Sequence, residues 1–221
     1  MQNSQQTTFS QEVNIPLGSI ALSGELNLPA AATGLVLFAH GSGSSRHRPR
    51  NRLVAQVIRN AGAGTLLLDL LTREEELIDR QTRHLRFDIP LLARRLAAAT
   101  AWVKSKPETC HLRAGYFGAS TGGGAALLAA VEPDNQIGAV VSRGGRPDLA
   151  GAALSRVSAP TLLIVGGLDD VILHLNEDAL AQLRCVKELK IVPGATHLFE
   201  EPGTLEEVAR LTADWFRKYL C

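Results

Sequence analysis

The chain has 221 residues and a nearly balanced charge, with 23 Lys and Arg against 22 Asp and Glu and a net charge of +1. Hydrophobic residues make up 45% and charged residues 20%, which is typical of a globular domain and excludes a disordered chain. Such a balance gives no attraction to nucleic acid or anionic membranes, and every apolar stretch falls short of the roughly 20 residues that cross a bilayer. We therefore expect one domain over residues 1–221 and no nucleic-acid or membrane partner.

The N-terminal segment is polar and lacks the basic start and apolar core of a signal peptide. We expect residues 1–11 to form a flexible segment and the protein to be cytoplasmic. Cys110, Cys185 and Cys221 are widely spaced, which excludes a disulfide framework and a cysteine metal site. We expect neither a metal nor a cofactor.

The chain begins with two segments, 12–15 and 20–28, that alternate apolar and polar residues as an antiparallel hairpin at a sheet edge does. Short apolar strands then alternate with helical patterns of apolar residues. The predicted strands are 35–39, 65–68, 114–117, 137–141, 161–165 and 189–192. The predicted helices cover 53–61, 87–103, 125–131 and a closing helix from Thr204, where Thr204 and Glu207 have the spacing of a capping box.

Strand–helix alternation predicts parallel strands with right-handed crossovers, and hence a three-layer α/β/α sandwich. In such sheets, ligands bind at the loops that leave the carboxyl ends of the strands. Those loops are therefore where the sequence should carry its chemistry.

The clearest motif is a Gly-x-Ser-x-Gly at 118–122, placed between a predicted strand and a predicted helix. A serine in such a sharp turn has its hydroxyl exposed in the cleft, and the glycines avoid collisions with neighbouring backbone. We therefore take Ser120 as the candidate nucleophile. A glycine-rich turn that merely packs tightly, or that binds a phosphate, is the alternative interpretation.

A serine needs a base, and six histidines are available. His197 follows the last predicted strand. In three-layer α/β sandwiches with a serine on a strand-to-helix turn, the chain order is serine, acid, histidine, so a histidine at this position is expected to be the base. Two carboxylates, Asp169 and Asp170, follow the strand 161–165 and are candidates to orient the imidazole. We favour Asp169, because Asp170 has the position of a residue that caps the following segment.

The oxyanion of a tetrahedral intermediate needs two backbone N–H donors. We expect one from Thr121, which follows the nucleophile, and the other from Ser42, in the loop after the strand 35–39. His40 begins this loop, and we expect it to order the loop rather than to take a proton.

These motifs together resemble an α/β-hydrolase of the dienelactone hydrolase-like group. The resemblance covers about residues 12–215 and is carried in order by His40-Gly41, the elbow 118–122, Gly-Leu-Asp at 167–169 and Gly-Ala-Thr-His at 194–197. It implies an eight-stranded, mostly parallel sheet and hydrolysis of esters or lactones through a covalent acyl-enzyme. The enzymes that give the group its name use cysteine as nucleophile, whereas this elbow carries Ser120, which favours a carboxylesterase.

The connection between the strands 137–141 and 161–165 is too short for a large helical lid, so we expect an open site that suits short-acyl esters. Arg143 and Arg146 leave a strand at the active-site end and, with His40, are the candidate substrate-binding residues. Either arginine could instead hold its own loop, through carbonyls or through Asp148. A dense basic run at 46–52 could bind nucleic acid or attract an anionic substrate, but a solvated, charged surface is the simplest interpretation.

The sequence therefore predicts a serine esterase with a triad of Ser120, His197 and Asp169. We expect its substrate to be a small-molecule ester and the protein to be a monomer or small homo-oligomer. An acyltransferase or perhydrolase would use the same residues with another acyl acceptor. A ligand-binding protein on a hydrolase scaffold is the non-enzymatic alternative.

Overall fold

The computed structural model describes residues 7–40 and 45–220. Its strands are β1 (Thr7–Leu17), β2 (Ile20–Pro29), β3 (Gly34–Ala39), β4 (Gly64–Leu68), β5 (Arg113–Ala119), β6 (Ala139–Arg143), β7 (Thr161–Gly166) and β8 (Lys187–Val192). Its α-helices are α1 (Pro49–Asn60), α2 (Arg73–Thr82), α3 (Ile89–Lys104), α4 (Thr121–Ala129), α5 (Asp170–Gln182) and α6 (Thr204–Leu220). Two 3-10 segments, Leu85–Phe87 and Pro147–Arg156, lie in the connections between these elements.

The strands form one eight-stranded sheet in the order β1-β2-β4-β3-β5-β6-β7-β8. The hairpin β1–β2 is antiparallel and joins β4 in antiparallel register, whereas β3 to β8 run parallel. This arrangement confirms the predicted α/β class and the mostly parallel sheet. It also brings the carboxyl ends of β3, β5, β6 and β7 together along one edge.

The central strands are buried along their whole length, because helices cover both faces of the sheet. Every residue of β3, β4, β6 and β7 is buried. Two hydrophobic clusters result: the apolar residues of α1 and α6 pack on one face, and those of α3, α4 and α5 on the other. Continuous apolar strands are what a doubly covered parallel sheet requires.

The connection from β6 to β7 contains only the 3-10 segment Pro147–Arg156, which is kinked at Gly151. As predicted, it contains no helical lid. Among the described helices, none combines the length and the apolar character needed to cross a bilayer.

Residues 7–11, which the sequence predicts to be part of a flexible segment, form the start of β1. Phe9 pairs with Leu28 and Gln11 with Leu26. A polar sequence does not prevent such pairing, because an edge strand is held by its backbone and one of its faces meets solvent. Residues 1–6 lie outside the described residues.

The predicted capping box at Thr204 is also wrong. The Thr204 hydroxyl donates to the carbonyl of Glu201 at 2.7 Å, and the Glu207 carboxylate accepts from Arg210 at 2.7 and 2.8 Å. The backbone N–H of Glu207 already donates to the carbonyl of Gly203, so Thr204 lies inside the helix rather than at its cap.

A capping box does occur at Thr72, where no helix was predicted. The N–H of Glu75 donates to the Thr72 hydroxyl at 3.3 Å, and the N–H of Thr72 donates to the Glu75 carboxylate at 2.8 Å. Glu75 also accepts two hydrogen bonds from Arg95, both at 2.6 Å. The acidic residues 74–76 are therefore the first turn of α2, where negative charge is favoured by the helix dipole.

Candidate active site

Ser120 lies between the end of β5 and the start of α4, in a conformation that L-residues rarely adopt. Its φ is 52° and its ψ is −124°. Three backbone hydrogen bonds fix it: its N–H donates to the carbonyl of Arg143 at 3.3 Å, and its carbonyl accepts from Gly123 and Arg146, both at 3.0 Å. A strained residue held from several sides is typical of a functional position.

The glycines that flank Ser120 allow very close backbone approach. A Cβ on Gly118 would lie 2.5 Å from the carbonyl oxygen of Gly122, and a Cβ on Gly122 would lie 2.0 Å from that of Ala39. Neither position accepts another residue without backbone movement. The first turn of α4 therefore packs directly against the end of β3, as expected for a nucleophile elbow.

His197 and Asp169 form a hydrogen-bonded pair. The Nδ1 atom of His197 lies 2.7 Å from Oδ2 of Asp169, and the two side chains are 37% and 14% exposed. Asp169 follows β7, and its backbone N–H is bound to the carbonyl of Gly166. Leu168 donates to the carbonyl of Ala195, which ties the loop after β7 to the loop after β8. Asp170 is the first residue of α5, and its carbonyl is 2.7 Å from Nδ1 of His174.

The segment Arg143-Gly144 connects the elbow to the imidazole. The carbonyl of Arg143 accepts from Ser120, whereas Gly144, with φ of +50°, lies so close to the imidazole of His197 that a Cβ would be 3.5 Å from its Cε1 and Nδ1. The end of β6 thus lies between the predicted nucleophile and the predicted base. All three predicted triad residues are at the carboxyl edge of the sheet.

Of the two predicted oxyanion donors, Thr121 is the first residue of α4 and is buried. The N-terminus of a helix is the positive end of its dipole, so this position suits a developing negative charge. Ser42 lies outside the described residues.

Sequence reasoning missed Asp69, which binds the predicted site residue His40. Nε2 of His40 lies 3.0 Å from Oδ1 of Asp69, the N–H of Arg46 donates to the same oxygen at 2.9 Å, and the Arg46 guanidinium binds Oδ2. Burial acts to raise the pKa of Asp69, but these hydrogen bonds from His40 and Arg46 outweigh it and lower the pKa to about 2. The available signal was its position directly after β4, at the same edge as the site.

Arg143 and Arg146 have different surroundings. The guanidinium of Arg146 binds the carboxylate of Asp148 at 2.9 and 2.7 Å, which is the loop-holding alternative, and this pairing raises the pKa of Arg146. Arg143 is only 8% exposed and its guanidinium lies 5.6 Å from the centre of the Phe199 ring. Burial, together with repulsion from Arg50, lowers the pKa of Arg143 to about 10, so it stays cationic at neutral pH.

Three arginines of the basic run 46–52 form ion pairs with carboxylates from different parts of the chain. Arg46 also reaches Glu12 at 3.4 Å, Arg50 binds Glu200 at 2.6 Å, and Arg52 binds Glu25 at 3.1 Å. These contacts make the run part of the protein's own surface rather than a free basic patch.

The family model described as the dienelactone hydrolase family matches residues 27–220, which is most of the chain. The chain belongs to the dienelactone hydrolase family. The sequence is 60% identical to that of a dienelactone hydrolase from Anabaena variabilis ATCC 29413. The crystal structure of that protein superposes on this one with a TM-score of 0.95, and the match covers 98% of this chain and 100% of that one.

Two further proteins show different kinds of similarity. Est1E from Butyrivibrio proteoclasticus is 15% identical, with a TM-score of 0.78 over 94% of this chain and 98% of that one, which shows a shared fold alone. A Mycobacterium tuberculosis (strain H37Rv) protein, provisionally named a phosphoribosyl transferase, is 57% identical over 211 residues. Those residues are 96% of this chain but 47% of that protein, so the chain spans about half the length of this relative.

Proposed function

We propose that this member of the dienelactone hydrolase family is a serine esterase that hydrolyses carboxylic esters through an acyl-enzyme. The observation that carries the proposal is the hydrogen-bonded pair of Asp169 and His197 at the same carboxyl edge of the sheet as a serine held at a φ of 52° on a strand-to-helix turn. The solved structure from Anabaena variabilis, itself a dienelactone hydrolase, supports ester or lactone bonds as the class that is cleaved.

In this mechanism the Ser120 hydroxyl attacks the ester carbonyl while His197 takes its proton. Because Nδ1 of His197 is bound to Asp169, Nε2 is the nitrogen that accepts the proton. The carboxylate of Asp169 then stabilises the imidazolium. His197 returns the proton to the departing alcohol, and a water activated by the same nitrogen hydrolyses the acyl-enzyme and restores Ser120.

The tetrahedral oxyanion needs donors that are in place before the reaction. We assign one to the backbone N–H of Thr121, at the N-terminus of α4, and the second to the backbone N–H of Ser42. The positive end of the helix dipole adds to the stabilisation.

The short connection after β6 favours small substrates with short acyl groups, because long chains need extended apolar walls. Of the three residues predicted to bind substrate, His40 and Arg146 each have a carboxylate partner. For Arg143, the described residues provide neither a carboxylate partner nor a hydrogen-bond acceptor. We therefore assign contact with a substrate carboxylate to Arg143 rather than to the other two.

The same residues would serve acyl transfer to an alcohol or a peroxide, and product analysis distinguishes these from hydrolysis. The phosphoribosyl transferase name belongs to a protein about twice as long, and it adds no activity to this chain.

The first test is intact-mass spectrometry after reaction with a fluorophosphonate, which modifies activated serines. We expect one adduct per chain on the wild type and none on Ser120→Ala. Ser155→Ala is the matched control, because Ser155 is exposed and bonds only within its own 3-10 segment, to Ala152; it should keep the adduct.

Turnover of a short p-nitrophenyl ester should fall at least about 10³-fold in Ser120→Ala. A folded wild type that forms no adduct and does not turn over the ester would contradict the proposal and favour a ligand-binding role.

A further inference from the structure

A buried carboxylate outside the predicted triad holds two points of the chain that flank residues 41–45. Asp69 binds His40, which follows β3, and both the backbone and the side chain of Arg46. Its own backbone N–H donates to the carbonyl of Ser23 in β2 at 3.0 Å. The Asp69 carboxylate is therefore fixed to the sheet and in turn fixes His40 and Arg46, which we call the Asp69 clamp.

The Asp69 clamp is in contact with the elbow through the end of β3. A Cβ on Gly122 would lie 2.0 Å from the carbonyl oxygen of Ala39 and 3.1 Å from that of His40. The backbone that the clamp holds is thus packed against the first turn of α4. A shift of His40 would change the spacing between this backbone and Ser120.

We propose that Asp69 is a positioning residue for catalysis, which sets the place of the His40 backbone against the first turn of α4 and thereby the place of that turn relative to Ser120. This inference rests on the proposed function, in which Ser120 is the nucleophile and the first turn of α4 supplies one oxyanion donor, the backbone N–H of Thr121. The physical reason is preorganisation: a backbone donor stabilises an oxyanion only if it is already aimed at it, and a misplacement of about 1 Å is costly. Asp69 acts through His40 and Arg46 and touches no reacting atom.

The chain offers a matched control in Asp79. Asp79 is 3% exposed, and like Asp69 it accepts from both the backbone and the side chain of one arginine, with Arg86 N and Nε at 3.1 and 2.5 Å. This contact joins α2 to the 3-10 segment Leu85–Phe87 instead of the end of β3. The substitutions Asp69→Ala and Asp79→Ala therefore remove the same kinds of bond at similar burial.

The experiment measures kcat and KM for a short neutral p-nitrophenyl ester, together with the rate and the final extent of fluorophosphonate labelling. The final extent counts competent active sites, so that rates are expressed per site. For Asp69→Ala we expect kcat per site to fall roughly 10²-fold with KM within about 3-fold, as for the loss of an oxyanion donor. For Asp79→Ala we expect kcat per site within about 2-fold of wild type.

A second measurement tests whether Asp69 acts through His40. In the double variant His40→Ala, Asp69→Ala, kcat should be close to that of Asp69→Ala alone, because both changes release the same contact.

The outcomes separate the two proposals. An Asp69→Ala protein with full kcat per site, or a loss that Asp79→Ala reproduces, overturns the positioning role while the esterase proposal stands. A wild type that is neither labelled nor active overturns both.

Discussion

The structure contains two pairs of aspartate and histidine at the same edge of the sheet, and they differ in the partners of the carboxylate. In one, Asp169 follows β7 and binds Nδ1 of His197, whose side chain is 37% exposed. In the other, Asp69 follows β4 and binds Nε2 of His40, whose side chain is only 10% exposed, and the Arg46 guanidinium binds the same carboxylate.

We propose that this difference separates a catalytic pair, Asp169 and His197, from a positioning pair, Asp69 and His40. The Asp69 carboxylate binds the Arg46 guanidinium as well as His40, so it joins two side chains instead of orienting one imidazole alone. In the proposed mechanism, the more exposed His197 uses Nε2 for proton transfer while Asp169 holds Nδ1 and orients the ring. Under these two proposals, the same two residue types serve proton transfer in one pair and positioning of the backbone in the other.

The largest effect that separates the pairs should come from replacing each histidine. His197→Ala removes the proposed base, so we expect kcat for a short p-nitrophenyl ester to fall at least about 10³-fold. His40→Ala removes one contact of the Asp69 clamp, and we expect a fall of about 10-fold. Steady-state kinetics of both variants, corrected for labelled sites, makes the comparison. A larger loss in His40→Ala would reverse the assigned roles.

A smaller but still large effect should separate two neighbouring carboxylates. Asp169→Asn keeps the shape but removes the charge that stabilises the imidazolium, and we expect kcat to fall roughly 10³-fold. Asp170→Asn should stay within about 2-fold, because Asp170 starts α5 and contacts His174 through its backbone carbonyl, which the substitution keeps. Equal losses in the two variants would show that the helix start, and not the bond to His197, is what matters.

The sequence was sufficient for the sheet and for the triad candidates because both depend on local patterns. The strands β3, β4 and β7 are continuous apolar runs, and Ser120, Asp169 and His197 each follow a strand at its carboxyl end. Because the carboxyl ends of parallel strands lie at the same edge of a sheet, residues that follow these strands are brought together there, and no contact between them has to be known in advance. Patterns of this kind are readable from one chain.

The Asp69 clamp was missed because no local pattern contains it. Asp69 is 23 residues from Arg46 and 29 from His40 in sequence, and their contact arises only because β4 lies next to β3. In the sequence alone, Arg46 is one member of a basic run. The prediction of the helix cap failed because sequence spacing does not determine where a helix begins. Thr72 and Thr204 both precede a glutamate by three residues, but only Thr72 has the geometry of a cap.

The smallest predicted effect concerns how the Asp69 clamp responds to acid. Its hydrogen bonds lower the pKa of Asp69 from 3.8 to about 2, so the folded state binds this proton less readily than the unfolded chain does. The resulting stabilisation, on the order of 2 kcal/mol, is fully present above the unfolded pKa and is lost as the pH falls from about 5 to about 2. The amide introduced by Asp69→Asn cannot titrate, so the difference in unfolding free energy between wild type and this variant should be larger at pH 7 than near pH 2 by about that amount. Urea unfolding of both proteins at the two pH values measures it, and a pH-independent difference would show that the charge of Asp69 adds nothing to its hydrogen bonds.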